Sequence, residues 1–490
     1  MKLVLGADSS TQSVKVEARV AETGELIATG RASHPSTTPP VSEQDPQAWW
    51  EAFADAVGQL GDARKDISAI SIAGQQHGMV LLDEDDQPLR PAKLWNDTTS
   101  APNADRLVES RGAQWWSDTT GSVPVAAFTI SKLAWVAENE PELLDRIAKI
   151  MLPHDYITYR LTGNHVTDRG DASGSGWYDA VSGTTVGDAL SDALGSGDWD
   201  DRVPTVIGPT DSAGPIDAAV ADALALPHDV VVGPGTGDNM GAALGLGLGE
   251  GDMVISLGTS GTVYARSAQR TGDPSGAVAG FCDATGQYLP LVCTLNATKV
   301  TDTIARLLGT DAPGLADLAM QAGTDVIEPT VVPYFDGERT PNRPDARGVV
   351  VGLTTDISRE EMARAAHDGV ICGLLEGAQA LVDAGASDDG RLFLVGGGAQ
   401  SAAYRQRLAT LAEKTVHVPK SDETVAVGAA IQAAALATGT GLDGLASAWN
   451  VSASDATEPD APGTGAEIRE RYRDAAAFDD GLCRPRTNER

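Results

Sequence analysis

Asp238 follows a glycine-rich strand exit and precedes a run of small residues in GTGDNMGAALGLGLG, 235–249. An ionised carboxylate so placed, near a helix N-terminus, suits a general base that takes a hydroxyl proton during phosphoryl transfer. The same position suits a helix N-cap. Asn239 beside it offers an amide to orient the same substrate. A second carboxylate, Asp8, lies at the mouth of the first apolar run in GADSSTQSVK, 6–15. Beside phosphates a carboxylate is tolerable only where a cation such as Mg²⁺, or the water around it, offsets the repulsion. Asp8 and Asp238 are therefore the candidate Mg²⁺ positions, through water, while the plainer role for Asp8 is to cap a turn. GQQHG at 74–78 lets backbone approach a ligand while Gln75, Gln76 and His77 supply donors and acceptors for a polyol. His77 serves equally as a satisfied turn or core residue. Trp95, in WND at 95–97, stacks on a sugar face or fills a core.

Two hydroxyl-rich turns extend the pattern. VLGADSSTQSVKVEA and VISLGTSGTVYA each read as strand, turn, strand, with Asp8 opposite Gly258 and Ser9, Ser10 opposite Thr259, Ser260. Two related halves follow, each with an anion-binding concavity of free backbone N–H groups, a pair able to clamp a polyphosphate. Lys15, on the outgoing strand, reaches phosphate or solvent. No Gly-Lys dipeptide occurs, so the P-loop is absent. The GxGxxG at Gly439–Gly444 leads to no strand and is not a dinucleotide site. GGGAQ at 396–400 brings Gly397, Gly398 and Gln400 close to adenine or ribose, or allows tight packing. Glu338 and Arg339 in GERTP read as a structural ion pair.

The elements that hold these residues alternate. Residues 2–8, 13–20 and 25–31 predict an antiparallel meander, 45–60 an amphipathic helix and 67–73 a strand running into GQQHG. Helices are expected at 101–110, 130–138 and 154–161, and residues 180–225 give no clear pattern. A buried strand at 228–234 precedes the turn of Asp238. Strands at 253–257, 262–266 and 391–395 follow, with helices up to Glu413 and over 425–437, and a loose acidic loop at 452–464. The class is α/β, with domains at 1–244 and 245–490.

At 490 residues with 42% hydrophobic side chains, the chain can build two or more cores. The 36 Lys plus Arg against 69 Asp plus Glu leave a net charge of −33, which repels a nucleic-acid backbone or an anionic membrane. Only nine cations are lysines, a pattern expected of a surface kept hydrated in salt. No signal peptide or membrane span is legible, so the cytoplasm is the expected location. Cys282, Cys293, Cys372 and Cys483 form no CxxC pair and read as free thiols, and no metal-caging His/Cys cluster is present.

These motifs and their order resemble the FGGY carbohydrate kinases from Leu3 to about Asn450. The resemblance rests on GADSSTQSVK, SEQDPQAWW, SIAGQQHG, RPAKLWND, LPHDYITYRLTG, TDRGDASGSGWYD, GTGDN, SLGTSGT, PYFDGERTPN and LVGGGAQS. It implies two ribonuclease-H-like domains of the actin, Hsp70 and sugar kinase superfamily, the first for the sugar and the second for the nucleotide, with the cleft between them as the site. Asp238 then matches the catalytic base and Asp8 the acid near Mg²⁺. Gln76 and His77 match the sugar contacts, and Thr11, Lys15, Gly258, Thr259 and Gly398 the nucleotide contacts. The implied activity is ATP-dependent phosphorylation of D-xylulose. Ribulose, gluconate and glycerol are the alternatives within the family, and an Hsp70- or actin-like nucleotide-dependent binding protein is the alternative outside it. A homodimer is left open. The chain departs from the family pattern at Ser10, Gln76 and Thr98–Thr99.

Overall fold

Alternation in the opening sequence sends Leu3, Leu5 and Ala7, then Val14, Val16 and Ala18, into one core, and the backbone follows as antiparallel strands. The computed structural model describes residues 2–421 and 423–479. Contacts divide the chain into two units: Met1–Leu248 with Ala268–Leu289 and Glu423–Ser452, and Gly249–Ser267 with Pro290–Asp422 and Ala453–Arg490.

In the first unit the meander Leu3–Ser9, Ser13–Val20, Leu26–Ser33 is joined by Ile67–Gly74, parallel to the first strand, and then by Val231–Val232, parallel to Ile67–Gly74. The helix Pro46–Gly58 buries Trp49, Phe53, Ala56 and Val57 in its core. The strand expected at 228–234 shrinks to Val231–Val232, and the chain rejoins Ile67–Gly74 in parallel at Thr236–Gly237 after a three-residue break. The opaque stretch 180–225 holds two short helices, Gly187–Leu194 and Ala218–Leu224, the second capped by Asp217.

The second unit repeats this order. Met253–Leu257 and Gly261–Ala265 form a hairpin, Tyr288–Thr294 pairs antiparallel with the latter, and Leu392–Val395 and Val416–Pro419 add in parallel on the other side. The two related halves read from the turns thus share a sheet topology, each with a hydroxyl-rich turn between its first two strands. Residues 454–457, placed in a loose loop by sequence, form the strand Ser454–Thr457, because Val416–Pro419 offers it an unpaired edge. The long helix Arg359–Asp383 begins at a capping box of Ser358 and Glu361 and packs over Ile304, Leu315 and Ala319.

The sequence boundary at 244/245 falls at the end of the helix Asp238–Gly245. Residues 268–289 and 423–452, placed in the second domain by sequence, group with the first unit. The helix Thr424–Thr438 shows why: it packs on Leu3–Ser9, Ile67–Gly74 and Asp238–Gly245. Its backbone touches that of Asp238–Gly245 so closely that a Cβ on Gly428 would lie 1.9 Å from the carbonyl oxygen of Gly241. Among the described residues no single helix is long and apolar enough to cross a membrane.

Candidate functional site

Asp238 is the first residue of the helix Asp238–Gly245, and Gly237 takes the N-cap position, so the capping role considered for Asp238 does not apply. Its Oδ1 accepts hydrogen bonds from the backbone N–H and side-chain amide of Asn239, at 2.8 and 2.9 Å. Asp238 as a residue is half-buried, and protein surrounds its carboxyl. That burial, reinforced by the negative charge of Asp8, raises its pKa to about 7. The Asn239 amide also donates to Gln76 Oε1 at 2.7 Å. Gln76 Nε2 is buried and has no protein partner. An amide locked at one end with its donor unused suits a ligand hydroxyl.

Other predicted residues of the first unit connect to one another through GQQHG. Gln75 N–H donates to the carbonyl of Ser9, tying GQQHG to the first hydroxyl-rich turn. Thr11 joins the same wall: its hydroxyl donates to Gln75 Oε1 at 3.2 Å and accepts from Trp95 Nε1 at 2.9 Å. Trp95 is 43% exposed, so it is a wall residue and not the core tryptophan that was its alternative. His77 is buried, its ring between Phe128 and Phe281 with centroids 5.0 and 5.2 Å away, and its φ of 63° lies in the left-handed region. Side chains hold such a conformation only where their surroundings over-determine it. The rest of WND is structural: buried Asp97 accepts from the N–H of Ser42 and from the Lys93 amine.

Asp8 sits at the end of Leu3–Ser9 and accepts from the Ser10 hydroxyl at 2.7 Å. Burial, chiefly, and the charge of Glu423 lift its pKa to about 6, against the pull of Ser10 and Lys15. Lys15, read from sequence as reaching phosphate or solvent, makes two ion pairs. It is paired with Glu423 at 2.6 Å and with Glu17 at 3.4 Å, which its position across the strand pair from Asp8 allows. Among the described residues no three His, Cys, Asp or Glu side chains could hold a metal ion. One or two desolvated carboxylates are instead the donor set of a hydrated Mg²⁺ whose remaining ligands are phosphate and water. Asp8 and Asp238 fit that description.

In the second unit the turn Gly258–Ser260 leaves Thr259 and Ser260 exposed. Its carbonyls are tied back: Thr298 N–H donates to Gly258 O at 2.9 Å and Ala297 N–H to Thr259 O at 3.2 Å. GGGAQ forms the single turn Gly397–Gln400 against the same strand end, for a Cβ on Gly398 would meet Leu257 Cδ2 at 2.4 Å. Gly398 is thus a packing glycine, whereas Gly397 and Gln400 are exposed. Glu338 does not make the ion pair with Arg339 read from GERTP. Buried, it accepts from the N–H groups of Leu295 and Arg339 and from the Asn296 amide, at 2.6, 2.8 and 2.9 Å, and so anchors the segment that braces the turn.

Sequence reasoning gave no role to a buried ionic cluster within the first unit. His154 Nδ1 lies 3.0 Å from Asp171 Oδ2 and its Nε2 lies 3.1 Å from Asp155 Oδ1. Burial opposes its charge, but Asp155, Asp171 and Asp168 prevail and raise its pKa to about 9. Burial pushes the Asp155 and Asp168 carboxyls up as well, to about 7 and about 6. The signal was present in the histidine and aspartates of LPHDYITYRLTG and TDRGDASGSGWYD, but nothing in their spacing shows that they meet. Cys282 and Cys372 are buried free thiols and Cys293 is a partly buried one, while Cys483 lies outside the described residues.

Comparison with known proteins identifies the family. The model of the FGGY family of carbohydrate kinases, N-terminal domain, matches residues 3–245, and that of the C-terminal domain matches 253–437. A xylulose kinase of Streptomyces coelicolor is 45% identical over 471 residues, covering 94% of this chain and 93% of the relative. One of Escherichia coli is 36% identical, covering 89% of each. The crystal structure of xylulose kinase from Bifidobacterium adolescentis superposes with a TM-score of 0.85 at 40% identity, over 97% of this chain and 99% of that one. With both family models matched in order over residues 3–245 and 253–437, the chain belongs to the FGGY family of carbohydrate kinases.

Proposed function

We propose that the chain phosphorylates D-xylulose at its terminal hydroxyl with ATP as donor, in the cytoplasm. The observation that carries this reading is the Asp238 carboxylate set beside the Asn239–Gln76 amide pair, whose unused donor is buried and aimed at no protein group. The xylulose kinases among the relatives support the choice of sugar.

Gln76 and His77 would hold sugar hydroxyls, and Trp95 would cover a face of the substrate. The Asp238 carboxylate accepts the proton of the C5 hydroxyl as that oxygen bonds to the γ-phosphorus and the bond to ADP breaks. Asn239, bonded to Asp238 Oδ1 through both backbone and side chain, fixes the carboxylate's rotation and leaves Oδ2 for the proton. The exposed residues Thr259, Ser260, Gly397 and Gln400 would form the nucleotide side. Asp8 and Asp238 would hold Mg²⁺ through water, which when bound offsets phosphate charge.

A coupled ADP-release assay over D-xylulose, ribulose, gluconate and glycerol tests the reading. Highest kcat/KM with D-xylulose is expected, and a clear preference for another sugar overturns it. Asp238→Ala should lose roughly 10²- to 10⁴-fold in kcat while remaining folded. Near-native turnover would remove the base.

A further inference from the structure

The segment that carries Asp238 is pinned by groups that the chemistry does not use. Thr236 and Gly237 pair in parallel register with Ala73 and Gly74. The carbonyl of Gly235 accepts from Gln432 Nε2 at 3.2 Å, and Gln432 Oε1 in turn accepts from the Ser71 hydroxyl at 2.9 Å. The His154 ring fills the space beside Gly235, where a Cβ would come within 2.4 Å of its Cδ2. The Thr236 hydroxyl donates to Asp168 Oδ2 at 2.8 Å, two residues before Asp238.

Asp168 is itself over-determined. Its oxygens also accept from the N–H groups of Gly170 and Asp171, at 2.8 and 3.0 Å, and Oδ1 lies 3.6 Å from His154 Nε2. His154 is held on its other nitrogen by Asp171 and, beside Nε2, by Asp155. His154, Asp155, Asp168, Asp171, Thr236 and Gln432 are all at most 2% exposed. Burying three carboxylates and an imidazole is expensive, and well-packed apolar groups would stabilise the core at least as well. What such a cluster supplies is direction: a hydroxyl-to-carboxylate bond in a dry interior fixes one rotamer and one backbone path.

We propose that Asp168, steadied by His154, is a positioning residue that aims the Asp238 carboxylate through the Thr236 hydroxyl. This rests on Asp238 being the base. A base displaced by a fraction of an ångström still lets the sugar bind but loses the attack geometry, so the effect belongs in kcat and not in KM.

The test compares Thr236→Val, which keeps the shape and loses the donor, with Thr236→Ser, which keeps the donor, in the full chain with D-xylulose and MgATP. Thr236→Val should lower kcat by about 10- to 100-fold with both KM values within about twofold of the parent. Thr236→Ser should recover most of that loss, and Asp168→Asn combined with Thr236→Val should be no worse than the poorer single variant. Circular dichroism and melting temperature identify misfolding, and the Val/Ser pair decides the matter if Asp168→Asn fails to fold. Near-parental kcat in Thr236→Val, a loss confined to KM, or equal impairment of Val and Ser overturns the inference. Asp238→Asn, run alongside, separates the two claims: if it stays active the base assignment fails, and if it is inactive while Thr236→Val is normal the positioning role alone fails.

Discussion

Replacing Gly237 by alanine perturbs the sugar side of the site without touching a polar group. Gly237 has φ −69° and ψ 156°, which alanine adopts freely, so the effect is steric. A Cβ there would lie 2.6 Å from Gln76 Cγ, 2.9 Å from Gln76 Cδ and 2.9 Å from Met240 Sδ, whereas ordinary contact begins at 3.4 Å. Gln76 must therefore retreat by about 0.8 Å, which stretches the 2.7 Å bond from Asn239 to about 3.5 Å, the edge of a hydrogen bond. Losing that bond and misplacing the free amide should cost about 1.4 kcal/mol in sugar binding, a tenfold rise in KM for D-xylulose. The KM for ATP should stay within twofold, because the second unit is unaltered. Steady-state kinetics in the coupled assay read both. The sharper check is Gln76→Ala: with Cγ and the amide gone, adding Gly237→Ala should raise KM little further, a non-additivity that marks direct contact. Additive effects, or an unchanged sugar KM in Gly237→Ala, would refute the steric argument.

Glu338→Gln would set an amide donor against the Asn296 amide and release the segment that holds Gly258 and Thr259, so the KM for ATP should rise about tenfold with sugar KM unchanged; a change in sugar KM alone would contradict it. His154 binds its proton more tightly folded than unfolded, so its stabilisation is complete below pH 6.5 and is lost as pH rises through about 9. The gap in melting temperature between parent and His154→Gln should accordingly narrow from below pH 6.5 to above pH 9, and a gap that widens would show the sign to be wrong. With a net charge of −33, added salt should raise the melting temperature, since screening over about 10 Å at 0.1 M weakens self-repulsion. A melting temperature indifferent to salt would count against adaptation of this surface to salt.

The turns that carry the candidate residues were legible because they are short and locally determined. GADSS and GTSG read as hairpin turns since alternating apolar residues on both sides leave no other register, and the two sheets built on them share one strand order. GQQHG and GTGDN were legible as strand exits for the same reason. Local spacing misled where a side chain's partner is remote. The Glu423 partner of Lys15, 408 positions away in the chain, could not be seen from its neighbours; Glu338 looked made for its neighbour Arg339 and instead anchors Leu295 and Asn296.

By itself, the order of turns and amphipathic runs determined the α/β class, the doubled hairpin and the identity of the residues able to do chemistry, because periodicity and turn geometry act over a few residues. Only the tertiary structure decided that the helix Thr424–Thr438 returns to the first unit, that Thr11 links Gln75 to Trp95, and that His154 and three aspartates meet behind the turn of Asp238. Those pairings depend on close approach between segments distant in sequence, which is set by packing volume and by the need to satisfy buried charge, and neither quantity can be read from spacing along the chain.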